Sequence, residues 1–281
     1  MRQFEINPFV AIMRRYCVDY ANRRDFEVCD QILANDYTLH MGEHSIRGRD
    51  EAYKPEVISQ LRSFPYLGLV VHEIVTDGDH LALLFSEHAA SLRHDLRRAC
   101  WHGIGIYKWD GAQITEAWVE MDFLARQTQL KLGEPASLGR PALDPWVTAE
   151  VGPCAQAVGV VRDWLRSGAL NNPEARNGHG DNPSSPRPQL DIEDVQEDVL
   201  FSAGRDVAFK VTVTGRYRSG VESCGERVGA RVTHHLAGVA TVDGEHIRAD
   251  VVSDRLGFAR RLRSLQTSPR SEARRQLRRP A

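Results

Sequence analysis

In the segment Leu81–His88, strand-like alternation puts Leu81, Leu83 and Phe85 on one face and carries Glu87 onto the same face. A carboxyl ending an apolar row is withdrawn from water, its pKa rises toward neutrality, and it can exchange a proton with a substrate held beside it. The competing reading is a carboxylate at the pocket mouth or one paired with a nearby Arg. Trp101, Gly103 and Gly105 alternate in the same way on a later strand, where two side-chain-free positions beside an indole suit a flat ligand. A tryptophan that merely fills a core is the alternative. His102 and His40 adjoin the inward positions but point the other way by strict alternation, so a catalytic role for either needs a bulge that reverses the facing. His234-His235 is a doublet with no HxH or HExxH context, and no metal or other cofactor is expected.

These groups need elements to hold them. Asn7-Pro8 is a helix start, and Phe9, Ile12, Met13, Tyr16, Cys17 and Tyr20 follow at helical spacing. Asp25 caps a shorter helix with Phe26, Cys29, Ile32 and Leu33 facing inward. A strand over Tyr37–Met41 and a helical stretch from Asp50 to Arg62, kinked or split at Pro55, come next. The period then changes to two in Leu69–Val75, Leu81–His88, Ala99–Trp109 and Ile114–Met121, with turns at Asp77-Gly78 and Asp110-Gly111. Helices first and an antiparallel sheet afterward predict an α+β domain whose curved sheet wraps the helices around a pocket.

The chain echoes itself. Trp101–Asp122 is answered 133 positions later by His234–Arg255, with Gly105, Asp110-Gly111 and Ile114 matched by Gly238, Asp243-Gly244 and Ile247. An interval this long predicts paired domains and not short solenoid units. The expected division is a fuller domain over 1–131, a Pro/Gly-rich linker over 132–148, an abridged second domain over 149–265 and a disordered basic tail over 266–281. In the second domain a helix over Ala157–Leu165 is followed by a mobile loop over 171–188, then strands over Ile192–Phe201, Val207–Tyr217, Ala230–Val242 and Ile247–Ser253.

A formal charge of −2 gives no global basic field for nucleic acid, and the arginines crowded into the tail lack aromatic neighbours for bases. Five scattered cysteines with no CxxC pair imply neither a disulfide framework nor a zinc site. No window reaches the ~18 apolar residues of a membrane span. A soluble, cytoplasmic protein is expected, with no membrane or nucleic-acid partner.

The order of elements resembles the SnoaL-like branch of the NTF2-like (cystatin-like, α+β cone) superfamily over about residues 8 to 130. The strings that carry the resemblance are Tyr20-Ala21-Asn22 with Asp25, Ile46-Arg47-Gly48-Arg49-Asp50-Glu51, Asp77-Gly78-Asp79, and Asp110-Gly111 with Ile114-Thr115-Glu116-Ala117-Trp118 and Asp122. The resemblance implies two tandem α+β cones, the second abridged, and cofactor-free acid–base chemistry on a hydrophobic, polyketide-like molecule in secondary metabolism, as a cyclase or isomerase. It also implies that the second copy packs against the first in place of a dimer partner, with a homodimer as a further option. The family's known catalytic positions fall on Gly105, Ala117 and Val119, and those of related ketosteroid isomerases on Met41 and Cys17, so any catalysis is relocated or lost. Asp250 matches Ala117 and is the candidate if the second copy is active. Glu116 and Asp122 match the closing motif, where carboxylates act on protons or cap the following helical turn over Phe123–Leu130. The expected set is therefore Glu87, Asp122, His102 and Asp250 for proton handling. Trp101, Trp118, Phe85, Met41, His40 and Tyr16 are expected to shape the ligand site. The rival from another class is a non-catalytic carrier or scaffold, and a third reading is an epoxide-opening enzyme with acid and base carboxyls across one pocket.

Overall fold

In the computed structural model the described residues are 6–138, 141–148, 151–169, 180–182, 187–244 and 246–265. The basic tail and most of the loop expected over 171–188 lie outside them. Among the described residues no helix is long and apolar enough to cross a membrane.

The Asn7 side chain accepts from the amides of Phe9 and Val10, and Pro8 fills the first position of α1 (Pro8–Arg15). The helix continues as a π-helical segment, Tyr16–Asn22, in which Cys17 and Tyr20 are buried. Asp25 caps α2 (Phe26–Ile32), which leads directly into β1 (Leu33–Met41). A short strand, β2 (His44–Arg47), folds back on β1 ahead of the helical stretch expected from Asp50. Gly48, at φ +97°, turns the chain into a second π-helical segment, Arg49–Tyr53, with which that stretch opens one residue before Asp50. Pro55 sits in the first turn of α3 (Lys54–Ser63), where a missing N–H is tolerated, so it splits the stretch without kinking it.

β3 (Gly68–Thr76), β4 (His80–Ser91), β5 (Arg97–Trp109) and β6 (Ile114–Met121) form a meander, closed by α4 (Phe123–Leu132). The sheet order is β2-β1-β6-β5-β4-β3, antiparallel except where β1 meets β6. Its concave face wraps α1 to α3, and Phe9, Met13, Ile32, Leu81, Leu83 and Trp101 are buried there. In the second half, α5 (Ala155–Arg166) precedes β7 (Gln189–Ala203), β8 (Asp206–Ser219), β9 (Arg231–Asp243) and β10 (His246–Ser253), and α6 (Arg255–Ser264) ends the described chain. These strands make an antiparallel sheet of order β10-β9-β8-β7, with Val161 and Leu165 of α5 and Phe258 and Leu262 of α6 packed on one face.

The remaining faces of the two sheets pack on each other. Val75, Ala82, Leu84, Ile104 and Ile106 meet Phe201, Ala208, Ala237, Val239 and Val252, and the three alanines let the strands approach closely. Ion pairs are buried at this junction. Arg255, 1% exposed, reaches Asp122 of the first half and Asp181 of the second, and Lys210 lies 3.2 Å from Glu120. Residues 180–182 are therefore not part of a loose surface loop as expected. Asp181 is buried, its amide donates to Val251, and its carboxylate accepts from the amide and hydroxyl of Ser253 at 3.0 and 2.6 Å.

The internal echo slips by one residue. β6 carries an extra residue at Thr115, between the pairs Trp109↔Ile114 and Lys108↔Glu116, whereas β9 and β10 pair without interruption. Beyond this bulge the interval is 132, which makes Asp254, and not Arg255, the counterpart of Asp122. Both aspartates cap the helix that follows them, accepting from Ala125 and Gly257 respectively.

Truncating Arg255 leaves two buried carboxylates without their cation. Arg255→Ala is expected to cost about 3–5 kcal/mol, measured by urea unfolding, whereas the exposed Arg23→Ala, whose Asp19 pair is open to water, should change stability by less than about 1 kcal/mol.

Candidate functional site

The β4–β5 ladder runs without a register break from His80↔Lys108 to Ser91↔Arg97. Alternation along it decides which side chains enter the cone. Leu81, Leu83 and Phe85 face inward with Trp101, and Glu87 continues the row toward the helices. Above Glu87, α1 and its π-helical extension bring Tyr16, Tyr20 and Ala21, the second π-helical segment brings Tyr53, and α3 brings Val57, Gln60 and Leu61. Together with Phe26 and Leu67–Leu69 they enclose a cavity of about 90 Å³.

Tyr16 and Tyr53 join their hydroxyls at 2.9 Å, and the Tyr16 ring packs on those of Tyr20 and Tyr107. Burial drives all these phenols well above their ordinary pKa, so they remain protonated donors. Glu87 Oε2 is buried without a well-formed hydrogen bond among the described residues. Burial pushes this carboxyl up to about 7, against opposing pulls from Arg126 and the Trp101 indole. Arg126 comes from α4, one turn after the Asp122 cap. Its guanidinium lies 5.1 Å from the centroids of Phe64 and Trp101 and 4.3 Å from that of Phe123. These rings fix a cation near Glu87 without a direct ion pair to it. The arrangement pairs a carboxyl that titrates near neutrality with phenols able to donate to an oxygen.

Of the expected residues, Glu87 and Tyr16 line this cavity. Trp101, Phe85 and Met41 are in the same interior but are part of its packing. Trp101 is fully buried, and the open surface expected over the neighbouring glycines is already occupied: a Cβ on Gly103 would lie 2.4 Å from the Phe85 ring, and one on Gly105 2.7 Å from the Tyr107 ring.

Four expectations are corrected by facing and one by its partners. His102 would have needed a bulge to turn inward, and the ladder has none there. It lies on the outer face, bonded through Nδ1 to the Gly180 carbonyl. His40 also faces out, bridging Ser45 and Glu116 and stacking on Trp118 at 5.5 Å. Trp118 packs toward the junction of the two sheets, while its neighbour Ala117 takes the inward position. Asp250 is the counterpart of Trp118 once the Thr115 bulge is counted. It pairs with Val239, whose side chain lies in the junction, so it stands outside the second interior. Asp122 is buried, capping α4 with one oxygen while the other accepts from Arg255 and the Asn182 amide. A carboxylate so fully engaged is structural. The doublet His234-His235 splits across its strand, His234 against Phe258 on one face and His235 on Thr212 on the other. Among the described residues no three metal-ligating side chains converge.

Tyr53, Tyr20 and Arg126 were missed. The tyrosines sit where sequence showed only helical spacing, and the one available signal for Arg126 was its place three residues after Phe123 on the expected closing helix.

Residues 13–117 match the family model described as the SnoaL-like domain. Comparison with curated protein sequences finds no match. Among solved structures, the chain is similar to TsrD from Streptomyces laurentii (19% identity over 46% of this chain and 98% of that one, TM-score 0.40). It is also similar to an M. tuberculosis LEH-like epoxide hydrolase (17% identity, 47% and 91%, TM-score 0.38). A third is a protein from Jannaschia sp. CCS1 assigned to the SnoaL-like polyketide cyclases (15% identity, 46% and 96%, TM-score 0.39).

A carboxyl whose folded pKa is raised stabilises the fold below its unfolded value and loses that contribution as pH climbs to the folded one. For Glu87 the window runs from 4.5 to about 7. Glu87→Gln, which cannot ionise, should match the wild type in urea unfolding at pH 4.5 and exceed it at pH 8 by on the order of 3 kcal/mol.

Proposed function

We propose that this chain, whose residues 13–117 match the SnoaL-like domain, carries out a cofactor-independent proton transfer on a hydrophobic, polyketide-like small molecule. The observation that carries this reading is Glu87, a carboxyl with a pKa of about 7 set among tyrosines in the interior. Its carboxylate would take a proton from a carbon beside a carbonyl. As that C–H bond breaks, the electron pair moves onto the carbonyl oxygen, which accepts from the one free O–H of the Tyr16–Tyr53 pair, the other O–H being used within the pair. The enolate then either takes the proton back from Glu87 at another carbon, an isomerisation, or attacks a second carbonyl in the same molecule, whose π pair becomes an alkoxide that takes the proton back from Glu87, a cyclisation.

Size limits the substrate. A cavity of about 90 Å³ is well below the roughly 300–1,000 Å³ of pockets that engulf drug-sized ligands. It accepts a reacting edge, with the rest of the molecule toward α3 and the Leu67–Leu69 segment. The second half is read as an abridged copy of the first, whose sheet packs on the first sheet in place of a separate partner. Its interior is filled by Trp164, Phe209 and Phe258, which supports a supporting role.

The second reading is a carrier that binds without turnover. The closed cavity and the rings over Gly103 and Gly105 favour it. Epoxide opening needs two carboxyls, and among the described residues Glu87 is the single carboxylate lining this cavity.

Deuterium uptake at the α-carbon of 2-tetralone in D₂O, followed by NMR, separates the two leading readings. The enzyme reading expects catalysed exchange that rises with pH through about 7 and falls about 100-fold in Glu87→Gln, with Tyr16→Phe losing less. Saturable binding of the ketone with exchange at the buffer rate would leave the carrier.

A further inference from the structure

On the outer face of β3, β4 and β5, away from the cone interior, is a cleft of about 770 Å³. Its floor is sheet: Val70, Ala90 and the half-open end of the strands near His88. Its roof is formed by Pro135, Ala136, Leu138 and Pro141 of the connector between the halves, and Leu96 closes one side. The roof is fastened. Gln129 bonds the Cys100 backbone on both sides (2.9 and 2.7 Å) and accepts from the Ala136 amide, and the Cys100 thiol donates to the Ala136 carbonyl at 2.8 Å. The cleft is thus part of the fold, and its volume lies within the range of small-molecule sites.

Its polar groups are few and of one character. Arg98 is exposed, and among the described residues nothing forms a hydrogen bond or ion pair with its guanidinium. Across from it is a relay, His88 Nε2 to Ser86 Oγ at 2.9 Å and Ser86 Oγ to His72 Nε2 at 2.8 Å. One hydroxyl hydrogen cannot serve both rings, so Ser86 donates to one histidine and accepts from the other, which orders their tautomers. Burial holds His88 below its ordinary pKa, so at neutral pH it offers hydrogen bonding and little charge. Among the described residues no carboxylate lines the cleft. One guanidinium, a hydrogen-bonding imidazole and apolar walls complement a monoanion with a hydrocarbon body, and a dianionic phosphate would find a single cation where it needs more.

We propose that this cleft is a second ligand site, which takes a free amphipathic carboxylate with its carboxylate at Arg98 and its apolar body between the sheet and the connector. The site is independent of the chemistry at Glu87.

The test is fluorescence titration of the full chain with 11-(dansylamino)undecanoic acid, followed by displacement with decanoic acid and with 1-decanol. Saturable enhancement is expected, with decanoate displacing the probe at least about tenfold better than decanol. Arg98→Gln should weaken the probe about tenfold and erase the advantage of decanoate. Ala90→Trp, which fills the floor, should abolish binding, and Leu138→Asp, a change confined to the connector, should weaken it if the tryptophan variant does not fold. Glu87→Gln should bind as the wild type does. No saturable binding, equal displacement by acid and alcohol, or binding indifferent to Arg98→Gln or to Ala90→Trp (Leu138→Asp if the tryptophan variant does not fold) overturns the proposal. Loss of binding in Glu87→Gln alone would move the probe to the interior cavity and overturn it as well.

Discussion

The constraint on which this molecule depends is the unbroken pairing of β4 with β5. A strand side chain has two choices of face, and a ladder with no slip fixes that choice for every residue along it. Glu87 goes into the cone and its neighbours Ser86 and His88 go out. Trp101 goes in and His102 goes out. A single bulge in the middle of this ladder would have exchanged an interior carboxyl for an interior imidazole and altered the chemistry available to the fold. The interior is accordingly poor in charge, and the desolvation that results is what brings Glu87 into the neutral range.

Burial acts differently at the junction of the sheets. There Asp122 and Asp181 have cations, amides and hydroxyls around them and are consumed in holding Arg255 and the chain near it, whereas burial still pushes Glu120 up to about 7 against the pull of Lys210. Two buried acids separated by the thickness of one sheet thus serve opposite ends. The one left short of partners is suited to exchange a proton, and the one fully partnered holds the halves together.

Much of the architecture was legible in the sequence because it is written in local patterns. Helix caps at Asn7 and Asp25 and the period-two strands from Leu69 to Met121 correspond to elements of the fold, and the inward placement of Glu87 follows from three apolar neighbours at even spacing. What escaped depended on distances between segments. Tyr53 meets Tyr16 only because a π-helical segment and α1 converge, and Arg126 finds Glu87 only through the stacking of Phe64 and Trp101. The Thr115 bulge is a different failure. One inserted residue leaves the turn motif intact yet reverses the phase of everything after it, so Asp250 was aligned with an inward alanine when its structural counterpart is the outward Trp118.

The junction also has a polarity. The first half presents Glu120 and Asp122, and the second answers with Lys210 and Arg255. If two first halves met through this face, acid would confront acid in a dry seam, and two second halves would set cation against cation. The polypeptide link between them thus joins surfaces of unlike charge, with Asp181 of the second half sharing Arg255 with Asp122.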